Sequence, residues 1–141
     1  MCSWYLESLQ LATASNTETS PRLSGVLPLA HVADVTRSIE FYEKLGFRLA
    51  KTVKDGDRIQ WALLELNGVP QLMLGRSARA MNPGAQDVLF YLYASNIVEY
   101  REKLKAQGIT VGEMKYPFFS PRGEFRVSDP DRYDLFIAHA D

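Results

Sequence analysis

The chain states one pattern of predicted elements twice, and this repeat constrains its fold more than any single motif. In each half an apolar run predicts a β-strand, over 26–33 and over 87–94, and a stretch with helical periodicity follows at once. Three more strands are predicted behind each helix, over 47–54, 58–66 and 70–75 in the first half and over 109–115, 123–128 and 133–138 in the second. This repeat indicates two copies of one supersecondary module.

Residues that favour helix ends support the repeat. Asp34 is a good N-cap for a helix over 35–45, and Gly46 suits the position just past its end. Asn96 predicts the start of the second helix, and Gly108 predicts its end. The two helices therefore occupy equivalent places in the two halves.

Two such modules predict an α+β fold. Each would curl a half-open sheet, with its helix outside, so that concave mixed sheets surround a shared cavity. We expect a single domain over 25–139, with module one at 25–75, a looser connection at 76–86 and module two at 87–139. A chain of 141 residues is long enough to bury one core of this kind.

Residues 1–24 differ from the patterned part and predict an N-terminal extension. Ser15–Ser24 is rich in Ser, Thr, Asn and Pro, which is typical of a linker. A signal peptide is not indicated, because no basic stretch precedes a continuous apolar run. We expect a loosely docked extension rather than a functional arm. Its apolar residues are spaced for one or two amphipathic helical turns: Trp4, Tyr5, Leu6, Leu9 and Leu11.

Charge and cysteine content narrow the classes of partner and compartment. The net charge of −1 gives no electrostatic support for a nucleic-acid or anionic-membrane partner. No apolar run approaches the roughly 20 residues that cross a bilayer. The single cysteine, Cys2, excludes an internal disulfide and fits a reducing compartment, so a cytoplasmic location is expected.

Three stretches resemble motifs of the vicinal-oxygen-chelate superfamily, which groups glyoxalase I, bleomycin-resistance proteins and extradiol dioxygenases. The stretch "PLAHVADVTRSIEFYEKLGF" resembles the first motif of that superfamily. "NGVPQLML" at 67–74 resembles the fourth strand of its first module, and "DPDRYDLFIAH" at 129–139 resembles its closing motif. The resemblance covers most of the chain and implies paired modules with a site inside the concavity.

The metalloenzymes of this superfamily place metal ligands on the first and last strands of each module. In this chain those positions fall near Leu27, on Gln71, near Phe90 and on Phe136. Divalent metals need imidazole, thiolate or carboxylate donors, and this set supplies one neutral amide. We therefore expect no metal and no cofactor.

His31 lies in the first predicted strand, four residues beyond Leu27, so strand alternation puts both on the concave face. A lone histidine without ligand partners is more often a pocket-lining group, and its neutral ring both donates and accepts hydrogen bonds. A general-base role stays open, although no nucleophile stands at a suitable spacing. Alternation also assigns Leu29, Leu92 and Asp134 to this face. The predicted ligand-binding residues are His31, Trp61, Gln71, Met73, Phe90, Phe119 and Phe136.

The segment "EMKYPFFSPRGEFRVSDPD" carries two further features. Tyr116, Phe118 and Phe119 cluster between two prolines, and an exposed loop usually holds fewer large apolar groups. This loop is expected either to close over the cavity as a hydrophobic lid or to pack against a second subunit. Asp129–Asp131, with Pro130 between them, is typical of a turn rather than of catalysis.

Two functions from different classes remain open. The preferred one is a metal-free protein that binds and sequesters a small, partly aromatic molecule, resembling bleomycin-resistance proteins and assembling as a homodimer. The alternative is a glyoxalase- or dioxygenase-like metalloenzyme with a displaced ligand set of His31, Glu65 and Asp134. The sequence leans away from catalysis without deciding it.

Overall fold

The structure is a computed structural model that describes residues 21–22, 24–82 and 88–140. Most of the predicted N-terminal extension, and part of the predicted connection, lie outside the described residues. The first half forms β1 (Leu29–Val32), α1 (Val35–Leu45), β2 (Arg48–Asp55), β3 (Arg58–Leu66) and β4 (Val69–Arg76). The second half forms β5 (Leu89–Ala94), α2 (Ile97–Ala106), β6 (Glu124–Ser128) and β7 (Asp134–His139).

The strands form two separate sheets with mixed pairing. The first sheet has the order β1-β4-β3-β2, with β1 parallel to β4 and the other neighbours antiparallel. The second has the order β5-β7-β6, with β5 parallel to β7 and β6 antiparallel to it. The predicted α+β fold with mixed sheets is confirmed.

The strand predicted over 109–115 is wrong. Within the described chain this segment makes an isolated bridge to β6, between Lys115 and Glu124. It also donates one hydrogen bond of 2.8 Å from Gly112 N to the carbonyl oxygen of Arg126. The two backbones are so close there that a Cβ on Gly112 would lie 3.1 Å from that oxygen. An irregular close approach thus replaces a regular ladder, and the second sheet has three strands.

The two helices have different N-terminal caps. The Asp34 side chain accepts a hydrogen bond of 3.2 Å from the backbone N of Arg37, and Gly46 ends α1 with a left-handed φ of 113°. Both predictions are confirmed. Asn96 precedes α2, but its φ of 47° is also left-handed and its side chain makes no capping hydrogen bond. Asn96 is thus the N-cap residue of α2, as predicted, although its side chain does not form the capping hydrogen bond. No helix in the described ranges is long and apolar enough to span a membrane.

One apolar core joins both helices to one side of each sheet. On β1 the alternation is clear, because Ala30 and Val32 are buried in this core while Leu29 and His31 are exposed on the other side. We call the side of each sheet that faces away from this core its open face. The core is built mainly by large aliphatic and aromatic side chains of both halves, among them Val35, Ile39, Leu64, Leu74, Leu104, Phe125, Leu135 and Ile137.

The turn at Asp129–Asp131 ties the two halves together. The Asp129 carboxylate accepts a hydrogen bond of 2.8 Å from the Tyr42 hydroxyl on α1. It also accepts hydrogen bonds of 2.9 and 2.8 Å from the backbone N atoms of Asp131 and Tyr133. Asp131 in turn accepts one of 3.1 Å from the backbone N of Ala33. The predicted turn role is confirmed.

Burial changes the acidity of this turn. It raises the pKa of the Asp129 carboxyl above its usual value, although the hydrogen bonds that the carboxylate accepts act in the opposite direction. The pKa of Tyr42 is raised as well, first by burial and then by the charge of Asp129. The Tyr42 hydroxyl therefore remains a donor at neutral pH.

Candidate ligand-binding faces

Strand register brings several predicted site residues together on the open face of the first sheet. Two rows of side chains cross this face. The first row is Leu29, Met73, Leu63 and Lys51, and the second row is His31, Gly75, Trp61 and Val53. Gln71 shares the face with Met73 by alternation on β4. Four of the predicted ligand-binding residues therefore lie on one surface.

His31 is held by its backbone and presents its side chain to the surface. Its carbonyl oxygen accepts a hydrogen bond of 2.9 Å from the Tyr133 hydroxyl. The imidazole is exposed and makes no hydrogen bond to the described residues. The next position in its row is Gly75, and a Cβ there would lie 3.1 Å from Leu29 Cδ2, so Leu29 occupies that space. The His31 ring therefore presents hydrogen-bonding nitrogen atoms at this surface.

The centre and the edges of this face differ in burial. Leu63 is 0% exposed and Trp61 is 6% exposed, although neither belongs to the core between the sheets. Leu29 and Val53 lie in the same rows at the edges of the sheet, and they are 40% and 48% exposed. The centre of the face is thus covered while its margins are open.

The open face of the second sheet carries a stack of aromatic rings. The Tyr91 and Phe136 rings are stacked with centroids 5.4 Å apart and planes at 20°, and Tyr91 and Tyr93 have centroids 6.4 Å apart at 27°. Tyr91 is 43% exposed and Tyr93 69% exposed. Partial desolvation, and then the Glu124 carboxylate, raise the pKa of Tyr91 above its usual value. Tyr91 therefore keeps its hydroxyl proton and offers both a ring and a donor.

Phe90 does not share a face with Phe136. Strand register pairs Phe90 with Leu135 and Tyr91 with Phe136. Phe90 is half-buried against the core and lies 5.8 Å from the Tyr133 ring, measured between centroids. The prediction that Phe90 and Phe136 line one surface is therefore wrong, and Leu92 is on the core side for the same reason.

The loop that carries Tyr116, Phe118 and Phe119 lies beside this second open face. Phe118 and Phe119 pack edge to face with centroids 5.4 Å apart, and both are exposed. Phe119 lines a small groove of about 110 Å³ together with Tyr91, Tyr93 and Glu124. Phe119 is thus brought near the aromatic stack, whereas the four predicted residues of the first sheet lie elsewhere.

A larger groove, of about 860 Å³, is lined by residues of both sheets. Its volume is within the usual range for small-molecule sites. Gln71 and Phe90 both line it, and so do Tyr91 and Tyr93 from the edge strand β5. Most of its lining comes from the core sides of the two sheets, as with Leu72, Leu135 and Ile137, and its margin reaches Gln71 and the two tyrosines.

Tyr91 and Tyr93 are the site residues that sequence reasoning missed. The run "DVLFYLYA" is apolar on both sides of its strand, so alternation alone does not tell which side faces the core. The two tyrosines could have indicated which side is exposed, because a partly exposed face accommodates hydroxyl groups more readily than a core does.

The residues that the resemblance places at or near the superfamily's metal positions do not provide the donor set of a metal ion. Leu27, Phe90 and Phe136 have no donor atom, and Gln71 offers a neutral amide. The displaced set is not assembled either: within the described ranges, no three His, Cys, Asp or Glu side chains are grouped to hold a metal ion. Asp134 accepts a hydrogen bond of 2.8 Å from Arg126 Nε instead.

Two helix-backed mixed sheets with open aromatic faces define a small α+β protein of paired-module type. The chain belongs to the glyoxalase/bleomycin resistance protein/dioxygenase superfamily, whose family model matches residues 27–136. No significant match to a curated protein is found.

Solved structures of similar fold include the following three proteins. A bleomycin-binding protein complexed with bleomycin is 18% identical with a TM-score of 0.66, and it covers 83% of this chain and 98% of its own. The bleomycin resistance determinant encoded on the transposon Tn5 has the same identity and coverage, with a TM-score of 0.67. TnmS3, an antibiotic-binding protein from Streptomyces sp. CB03234, is 22% identical with a TM-score of 0.70, covering 86% of this chain and 100% of its own. At these identities the likeness shows a shared fold.

Proposed function

We propose that this protein binds a small, partly aromatic molecule without a metal ion, and that the ligand stacks on Tyr91. The observation that carries the proposal is the exposed stack of Tyr91, Tyr93 and Phe136. Offset stacking on a preformed aromatic surface favours planar ligands, and it contributes about 0.5–1.5 kcal/mol beyond area burial.

The surroundings of Tyr91 supply volume and orientation. The groove of about 860 Å³ runs past Tyr91 and reaches Gln71, so a ligand stacked on the ring extends toward a neutral amide. The apolar lining supplies most of the binding free energy, and a few polar groups fix the ligand's orientation. Two proteins of similar fold are described as binding small molecules: the bleomycin-binding protein and TnmS3, which binds an antibiotic. This similarity supports small-molecule binding by the present chain.

A second copy of the chain would supply the opposite wall. His31 and Met73 lie on the open face of the first sheet, and the aromatic stack lies on the open face of the second. A two-fold pairing would place the first sheet of one chain over the second sheet of the other and enclose the ligand between them. The exposed rings of Tyr116, Phe118 and Phe119 offer further apolar surface that a monomer rarely leaves in water.

We therefore expect a homodimer that buries more than roughly 1,200 Å² in total. Light scattering at micromolar concentration should give twice the chain mass of 16.0 kDa. A monomer mass under these conditions would contradict the dimer, while leaving ligand binding to the Tyr91 stack to be judged separately.

Ligand binding is tested by thermal-shift screening of small aromatic compounds. The wild type is compared with His31→Ala and with Val53→Ala, whose side chain lies in the same row at the far edge of the sheet. His31→Ala should change stability little, because the imidazole is exposed in the single chain. In the dimer it should weaken binding by about 1–3 kcal/mol, because the enclosed ligand would then bury a polar group without its partner. Val53→Ala should bind as the wild type does. If no compound shifts the wild type, the binding proposal fails. If hits shift all three proteins equally, His31 is only a strand residue and its part in the site fails.

A further inference from the structure

The open face of the second sheet has a hollow beside its aromatic stack. Strand register places Tyr93, Ala138 and Glu124 in one row across β5, β7 and β6. The backbones of β5 and β6 are about 10 Å apart, because neighbouring strands are about 4.8 Å apart. Ala138 in the middle of the row has only a methyl group, so space remains between the Tyr93 ring and the Glu124 side chain. The small groove of about 110 Å³ lies there, since all three residues line it.

Glu124 is the acidic group of this groove, and its hydrogen bonding is incomplete. The residue is 8% exposed, and its Oε1 atom is buried and accepts no hydrogen bond from the described residues. A buried acceptor without a donor costs free energy, and most buried polar atoms in proteins are therefore paired. Glu124 Oε1 is thus placed to accept a hydrogen bond from a ligand that enters the groove.

The burial of Glu124 follows from its described neighbours. On one side β6 pairs with β7, where Ala138 lies opposite Glu124. On the other side Glu124 exchanges backbone hydrogen bonds of 2.8 and 2.9 Å with Lys115. Arg122 lines the groove as well, yet neither Lys115 nor Arg122 donates a hydrogen bond to Oε1. This carboxylate oxygen is therefore enclosed by the strands around it without being bonded by the cations beside it.

We propose that the groove binds a protonated amine, and that the Glu124 carboxylate accepts a hydrogen bond from its ammonium group. Three aromatic rings line the same groove: Tyr91, Tyr93 and Phe119. The faces of such rings attract a cation, and a carboxylate adds a charge-assisted hydrogen bond. A neutral donor would satisfy Oε1 without either of these electrostatic attractions, so the groove favours the amine.

Tyr91 links this groove to the proposed ligand site. It lines both the small groove and the larger one, and its ring stacks on Phe136. The inference rests on the proposed function, because the ring of the ligand is taken to stack on Tyr91. An amine on a short alkyl chain attached to that ring then reaches Glu124. The ligand class that the two features select together is an arylalkylamine.

Three indole compounds test this inference with the aromatic ring held constant. Tryptamine is protonated at neutral pH, as a lysine side chain is, whereas tryptophol is neutral and indoleacetate is an anion. In calorimetric titration the wild type should bind tryptamine about tenfold more tightly than tryptophol. Indoleacetate should bind most weakly, because its carboxylate is repelled by that of Glu124.

Glu124→Gln keeps the size of the side chain and removes its charge. This variant should bind tryptophol as the wild type does and should lose the preference for tryptamine. The matched control is Glu43→Gln, which removes the same charge from an exposed position on α1. The control should keep the wild-type preference.

Equal affinity of the wild type for tryptamine and tryptophol would overturn the amine site and leave stacking on Tyr91 standing. This comparison needs no variant, so it holds even if Glu124→Gln fails to fold. A preference for tryptamine that persists in Glu124→Gln, or that is lost equally in Glu43→Gln, would overturn the role of Glu124. If none of the three compounds binds, the amine site fails, and the thermal-shift screen decides the stacking proposal separately.

Discussion

The two sides of each sheet are built for different purposes. On the core side, Leu74 and Leu135 are fully buried in the core that also contains side chains of both helices. The buried carboxylate of Asp129 joins the two halves there. On the open side, Tyr91 and Tyr93 present rings to solvent. This difference indicates that folding stability and ligand binding depend on different sides of the sheets. A substitution on the core side should lower the free energy of unfolding, and one on the open side should lower ligand affinity.

The largest expected effect compares two leucines of adjacent strands. Leu74→Ala removes a side chain that is 0% exposed on the core side and should destabilise the protein by about 2–5 kcal/mol. Leu29→Ala makes the same change on the open side and should cost less than about 1 kcal/mol. Urea unfolding of both variants measures the difference. Equal losses would show that the two sides are not distinct.

The second comparison uses two aspartates of the closing motif. Asp129→Ala leaves the Tyr42 hydroxyl and two backbone N–H groups without their buried acceptor, so we expect a loss of about 3 kcal/mol. Asp134→Ala removes an exposed pairing with Arg126 and should cost about 0–1 kcal/mol. A loss at Asp134 as large as that at Asp129 would contradict the assignment of Asp129 as the link between halves.

Titration of Asp129 should make the free energy of unfolding depend on pH. Because burial raises its pKa in the folded protein, the folded state keeps a proton that the unfolded state has already lost. Its stabilising contribution is therefore complete below the unfolded pKa and is lost as pH rises through the folded pKa. Relative to Asp129→Asn, the wild type should lose stability from about pH 4 upward. Parallel profiles for the two proteins in urea unfolding would contradict the raised pKa.

Local signals predicted the elements better than their faces. The bounds of α1 were predicted from Asp34 and Gly46, because a cap and a terminating glycine act within one turn of the helix. His31 and Met73 were assigned to one open face by strand alternation, counted from the positions that the superfamily resemblance gave. Strand β3 was predicted with the bounds that the structure has, 58–66, since turns flank it on both sides.

Tertiary packing decided what the sequence did not. Strand β5 is apolar in both phases, so the choice between Phe90 and Tyr91 as the core-facing residue depends on what covers the sheet. The segment 109–115 has strand-like composition, but the close backbone approach at Gly112 replaces the ladder with scattered hydrogen bonds. Both errors concern packing between elements, which the composition of a single strand does not determine.

The central claim is that the Tyr91 stack binds the ligand, and calorimetric titration of Tyr91→Ala tests it most directly. The probe is the aromatic compound that gives the wild type its largest thermal shift, and the control is Val98→Ala, which shortens an exposed apolar side chain on α2. Tyr91→Ala should bind about tenfold more weakly than the wild type, with folding free energy unchanged to within about 0.5 kcal/mol, and Val98→Ala should bind as the wild type does. Wild-type affinity in Tyr91→Ala, or an equal loss in both variants, would contradict the account.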